Sequence, residues 1–154
     1  MSERRFKTSA EILAFAIERE IAAADGYARI AAVAETPGLR ELAEELRGQE
    51  IEHRRILEGL TPGALDDPSG PSRVPDLHLV DALADEPLSG DMSLQDMLIF
   101  AAKKEAQSVA LYESLARLAG PAGQGRIFLF LAGQEREHKL RIEAAYEAHV
   151  IPEN

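Results

Sequence analysis

The sequence contains no cysteine. Disulfides, thiolate-bound zinc, iron–sulfur clusters and cysteine nucleophiles are therefore excluded, and any metal must be held by oxygen and imidazole nitrogen. Tryptophan is absent too, and five Phe and three Tyr make up the aromatic complement. A chain this poor in aromatics and rich in Ala and Leu leans toward helices rather than a β-sandwich. Long apolar runs are missing: stretches such as residues 127–132 (IFLFLA) are far too short to cross a bilayer. The first twenty residues begin with positive charge, but Glu11 and Glu18 bracket their apolar part, which argues against a secretory signal and for a cytoplasmic protein. Cations are in short supply, with 17 Lys and Arg against 27 Asp and Glu and a net charge of −10. That balance argues against a nucleic-acid partner, since phosphate contacts need clustered Lys and Arg.

The 154 residues, 45% of them hydrophobic, suit one domain with a sizeable core. Four segments show helical periodicity with no proline inside: roughly 10–35, 39–60, 93–119 and 125–149. Thr36-Pro37-Gly38 separates the first pair and Gly120-Pro121-Ala122-Gly123 the second. Ser93 is placed to cap the third helix, with Asp96 three residues on. Residues 61–92 hold five of the eight prolines and read as a connection, with a short helix at 77–83. A link of that length is expected where two antiparallel hairpins, 10–60 and 93–149, are joined end to end along a bundle.

The chain also repeats itself. A shift of 85 residues lays Gly48-Gln49-Glu50-Ile51-Glu52-His53 over Gly133-Gln134-Glu135-Arg136-Glu137-His138 without a gap. The same shift superposes Leu13 on Leu98, Phe15 on Phe100, Glu20 on Glu105 and Tyr27 on Tyr112. We read two homologous helical hairpins related by a pseudo-twofold axis.

Steps of three and four residues trace one apolar seam along each helix. Every seam carries a carboxylate near its middle: Glu20, Glu50, Glu105 and Glu135. The second and fourth add His53 and His138 one turn later, and no Lys or Arg lies on any of the four seams. Burying four such carboxylates unpartnered costs on the order of several kcal/mol per ion. Protonating them leaves four neutral acids short of hydrogen-bond partners. Two divalent cations, about +4 in all, resolve the conflict. One Glu from each of two helices and a Glu-x-x-His from each of the other two is the donor set of ferritin-like di-iron and di-manganese bundles. A single Glu-x-x-His is a weak signal; two in register, partnered by two further Glu, are a specific one.

The pattern Glu-x6-Tyr, then Glu-x-x-His, then both again after a long crossover, resembles the rubrerythrin family of the ferritin-like superfamily over residues 10–149. The resemblance implies a ferritin-like four-helix bundle and a carboxylate-bridged pair of iron ions held by Glu20, Glu50, His53, Glu105, Glu135 and His138. It implies reaction with hydrogen peroxide or dioxygen, and Tyr27 and Tyr112 hydrogen-bonded to ligand carboxylates. Two departures stand out. The best-known members carry a rubredoxin-like domain with four cysteines, so here the electrons are expected from an external donor. Peroxidase members have an additional carboxylate on the third helix, where this chain has Ala102 and Ser108 one turn either side of Glu105.

Manganese or a mixed pair suits the same ligands. Iron oxidation or handling, and a non-catalytic metal-stabilised bundle, are the competing functions. A homodimer is the expected assembly. Glu18, Glu52, Glu137, His78 and His149 are read as surface residues. Gly26 costs the first helix roughly 1 kcal/mol relative to Ala; it either marks a kink or close approach near the acids or has no role.

Overall fold

A computed structural model describes residues 8–60, 91–120 and 124–149. They form four helices, α1 (Ser9–Val33), α2 (Pro37–Glu58), α3 (Leu94–Ala119) and α4 (Gln124–His149), with no strand among the described residues. The protein is an all-α four-helix bundle. Most of the expected crossover, residues 61–90, lies outside the described residues, and the short helix expected at 77–83 lies there too.

The helix ends follow from local chemistry. Thr8, Thr36 and Ser93 precede α1, α2 and α3 in extended backbone, and each side-chain oxygen accepts from the amide three residues on, at 3.2, 3.3 and 3.1 Å. Such caps satisfy one of the four amides that a helix start leaves unbonded. α2 therefore begins at Pro37, two residues before its expected start, because proline at the first helical position sacrifices no hydrogen bond. Gly120 ends α3 at φ 82°, a region that favours glycine. Close by, a Cβ on Gly125 would fall 1.9 Å from the Gly120 carbonyl oxygen, so the turn into α4 requires glycine there.

α1 packs along α2 and α3 along α4, while the contacts between hairpins are sparser. The apolar core is in two parts. One gathers the start of α1 (Ile12, Phe15), the ends of α2 and α3 (Leu57, Leu115) and the start of α4 (Phe128, Leu131). The other gathers the end of α1 (Ile30), the starts of α2 and α3 (Leu39, Leu46, Leu98) and the end of α4 (Ile142). Both hairpins are thus antiparallel, and the pseudo-twofold axis exchanges the two ends of the bundle. Between the ends lies a layer of ionisable side chains. No helix is long and apolar enough to cross a membrane, among the described residues.

Candidate metal centre

The middle layer contains Glu20 from α1, Glu50 and His53 from α2, Glu105 from α3 and Glu135 and His138 from α4, none more than 3% exposed. Helix geometry places them there: each occupies the seam position midway between the two apolar ends, and Glu-x-x-His projects both side chains from one face.

The shortest polar contacts in the layer cross from one hairpin to the other. His53 Nδ1 is 2.7 Å from Glu135 Oε1, and His138 Nδ1 is 2.7 Å from Glu50 Oε1. The two imidazoles stack at 5.6 Å, 8° from parallel. Their outer nitrogens also find partners: His53 Nε2 lies 2.6 Å from Gln134 Oε1, and His138 Nε2 meets Gln49 Oε1. An amide oxygen can only accept, so each Nε2 carries the proton and each Nδ1 turns toward the carboxylates. Tyr27 donates to Glu105 Oε1 at 2.5 Å, and Tyr112 donates to Glu20 Oε1.

Left to themselves, these groups can lower their charge only with protons. Burial, with the charges of Glu20 and Glu135, pushes the Glu50 carboxyl well above the usual range. Burial and Glu135 do the same to Glu105. Glu135 moves the other way: burial would raise it, but its close contacts with Glu105, His138 and His53 hold it well below. For His53, burial opposes protonation, yet hydrogen bonds and charge from Glu135 and Glu20 push it up to about 10. Burial, followed by the charge of the carboxylate each one bonds, keeps Tyr27 and Tyr112 well above the ordinary phenol value.

Protons leave the layer incompletely satisfied. Glu20 Oε2, Glu105 Oε2 and Glu135 Oε2 are buried and make no hydrogen bond. An orphaned buried acceptor costs about 1–3 kcal/mol, more when charged. Two groups of four bring ligand atoms within 4.8 Å of one another: Glu20, Glu50, His53 and Glu135, and Glu50, Glu105, Glu135 and His138. The residues with an unbonded oxygen all belong to these groups, and the donors are carboxylate oxygen and imidazole nitrogen, which suit hard or borderline divalent cations. The residues present fit metal binding.

No protein-family model matches the chain, and no curated protein does. The chain is similar in structure to a hypothetical protein from Pyrococcus furiosus, at 24% identity and a TM-score of 0.70, over 91% of this chain and 89% of that one. At that identity the likeness concerns the fold.

All six expected ligands and both tyrosines meet in the layer. The residues read as bystanders stay outside it. Glu18, Glu52, Glu137 and His149 are exposed, and Glu52 pairs with Arg55 at 3.4 Å; His78 lies outside the described residues. Gly26 marks no close approach, since a Cβ there would have nothing within 4 Å. Sequence reasoning passed over Gln49 and Gln134. Their signal was present, because both belong to the repeated Gly-Gln-Glu-x-Glu-His block.

Proposed function

We propose that the chain is a rubrerythrin-type di-iron oxidoreductase that reduces hydrogen peroxide or dioxygen. The observation that carries this reading is the pair of overlapping buried donor groups, which share Glu50 and Glu135. In this reading Glu20, Glu50, His53 and Glu135 would hold one ion and Glu50, Glu105, Glu135 and His138 the other. Bound ferrous iron would supply electrons and Lewis acidity.

The chain's own residues do the rest. Gln134 and Gln49 fix both histidines in the tautomer that presents Nδ1 to the carboxylates, an orienting role that tunes a metal ligand. Tyr27 and Tyr112 each hold one oxygen of Glu105 and Glu20 and leave the other, Oε2, without a hydrogen bond. Their raised pKa values keep both phenols protonated, so they remain donors throughout the neutral range. The apolar ends restrict water in the layer. Conversion of one peroxide to two waters consumes two electrons and two protons; the electrons return from an external protein or small-molecule donor.

A second reading, oxidation and handling of iron itself, gains weight from α3. Beside Glu105, the positions one turn away are Ala102 and Ser108, and Ser108 accepts from Arg19 at 3.2 Å, so no further carboxylate faces the layer there. Anaerobic loading with Fe(II), followed by stopped-flow mixing with peroxide or with oxygen, separates the possibilities. Oxidation within seconds with iron retained through repeated turnovers is the expected result. Oxidation followed by iron release favours handling, and no oxidation within seconds rejects the redox function. Metal analysis of the natively purified protein distinguishes iron from manganese or a mixed pair, and sedimentation tests the expected homodimer.

A further inference from the structure

The internal repeat breaks on the outside of the bundle. α2 and α4 are equivalent helices, yet at matching exposed positions they differ in kind. α2 carries Glu41, Glu44, Glu45 and Arg55; the residues 85 positions on are Arg126, Leu129, Phe130 and Leu140 of α4. Leu129, Phe130 and Leu140 are 58, 53 and 60% exposed, three of the five large hydrophobics exposed among the described residues. Steps of three and four align Leu129, Gly133, Arg136, Leu140, Ala144 and Glu147, all exposed, on one outward stripe. The inward face of α4 is spent on the core and the layer, through Phe128, Leu131, Glu135, His138 and Ile142. Exposed apolar side chains gathered on one stripe mark an interaction surface. The charged counterpart on α2 shows that the fold itself does not require them.

The charges along the stripe identify its occupant. Arg126 stands near the start of α4, Glu147 near its end, and Arg136 and Glu137 at its midpoint. Reversed end for end, this order is its own complement. A second α4, laid antiparallel about a twofold axis between positions 136 and 137, sets Arg126 against Glu147 and Arg136 against Glu137, each pairing occurring twice. In the same register Leu129 faces Ala144, and Leu140 enters the recess left by Gly133. Phe130 faces Glu143, whose charge Lys139 offsets at 3.2 Å. Arg136 already donates to Glu113 at 3.2 Å, and its five N–H donors can serve both acids. Copies that each carry a net charge of −10 repel, so they associate best where bases meet acids.

We infer that α4 is the interface of an antiparallel, twofold-symmetric homodimer, with Arg126 paired to Glu147, Arg136 to Glu137, and Leu140 seated at Gly133 of the second copy. The inference gives the expected homodimer its face, rests on the stripe alone and holds whichever metal chemistry the layer performs.

Sedimentation equilibrium of the full chain across a concentration series tests it. The wild type is a dimer, and Leu140→Glu weakens it roughly tenfold or more by setting a carboxylate into the recess. Helix content by circular dichroism and metal stoichiometry stay at the wild-type values, because Leu140 belongs to neither core cluster nor the layer. Leu129→Glu takes its place should Leu140→Glu lose helix content. Charge reversal tests the register. Arg126→Glu and Glu147→Arg, made singly, each weaken the dimer several-fold at low ionic strength, and the double variant restores it. Within one chain the two positions are separated by roughly 31 Å of helix, so the recovery can only come from a second copy. A monomer at every concentration overturns the proposal and leaves the stripe to a different partner. A dimer that both glutamate variants leave intact overturns it too, placing the contact on another face. Failure of the double variant to recover the dimer overturns the antiparallel pairing.

Discussion

The middle of the bundle and its two ends have diverged to different degrees between the hairpin copies. In the layer the copies agree at every position that makes a polar contact: Glu20 and Glu105, Tyr27 and Tyr112, Gln49 and Gln134, Glu50 and Glu135, His53 and His138. In the ends they do not. Phe128 fills one end where Ala43 stands in the other, Leu111 corresponds to Gly26, and Ile142 replaces Leu57. Apolar packing requires mainly total volume, which several residues can supply together. A reciprocal set of hydrogen bonds requires particular atoms at particular places, and a single change orphans a buried partner.

Four perturbations bear on this contrast. The largest effect is expected at an end. Phe128→Ala makes position 128 match Ala43, and should cost about 3–5 kcal/mol in chemical denaturation while leaving metal stoichiometry unchanged. Loss of metal along with stability would show that end and layer are not separable.

Next comes the layer. In chelator-stripped protein, Glu20→Leu with Tyr112→Phe removes a buried acid and its donor together, and should raise stability by roughly 1–4 kcal/mol while weakening metal binding. Tyr112→Phe alone leaves Glu20 Oε1 without its donor and should cost about 1–3 kcal/mol. If the double variant is also destabilised, the layer contributes to the fold without any cation.

A smaller change tests the glutamines. Gln134→Ala frees His53 Nε2 and should lower metal affinity roughly 10- to 100-fold, measured by competition with a chromophoric chelator. Unchanged affinity would reduce Gln134 to a surface residue.

The mildest perturbation is pH. Glu50 and Glu105 have folded pKa values above their unfolded ones, so their favourable contribution is present at acid pH and lost as pH rises. His53 acts in the same sense: its contribution is full below about 6.5 and lost as pH climbs toward about 10. Glu135 has the opposite sign, and its contribution is lost only as pH falls below the carboxylate range. Stripped protein should therefore melt at progressively lower temperature between pH 6.5 and 10. With a saturating divalent cation the fall should flatten, because cation binding needs the deprotonated ligands. A stripped protein insensitive to pH across this window would contradict the charge arrangement described for the layer.

The fold and the six buried acids and imidazoles were legible because both depend on intervals within one helix. A seam of three- and four-residue steps identifies the inward face, and an acid on that face without a nearby cation announces itself. What could not be read depends on register between helices. That His53 makes its shortest contacts with Glu135 and Gln134 of the other hairpin follows from how α2 lies against α4. The open volume at Gly26 was equally hidden, since it depends on what α3 places opposite it. The starts of α1 and α2 moved by one or two residues because caps, not seams, decide them.

The cross-linked character of the layer also constrains assembly. Each histidine, tyrosine and glutamine in it finishes its bonding on the opposite hairpin, and each four-ligand group draws on both. A lone hairpin, however helical, supplies at most three members of either group and completes neither. Each four-residue group is therefore complete only once the two halves have docked, so in the proposed metal site cation binding should be linked to completion of the tertiary structure.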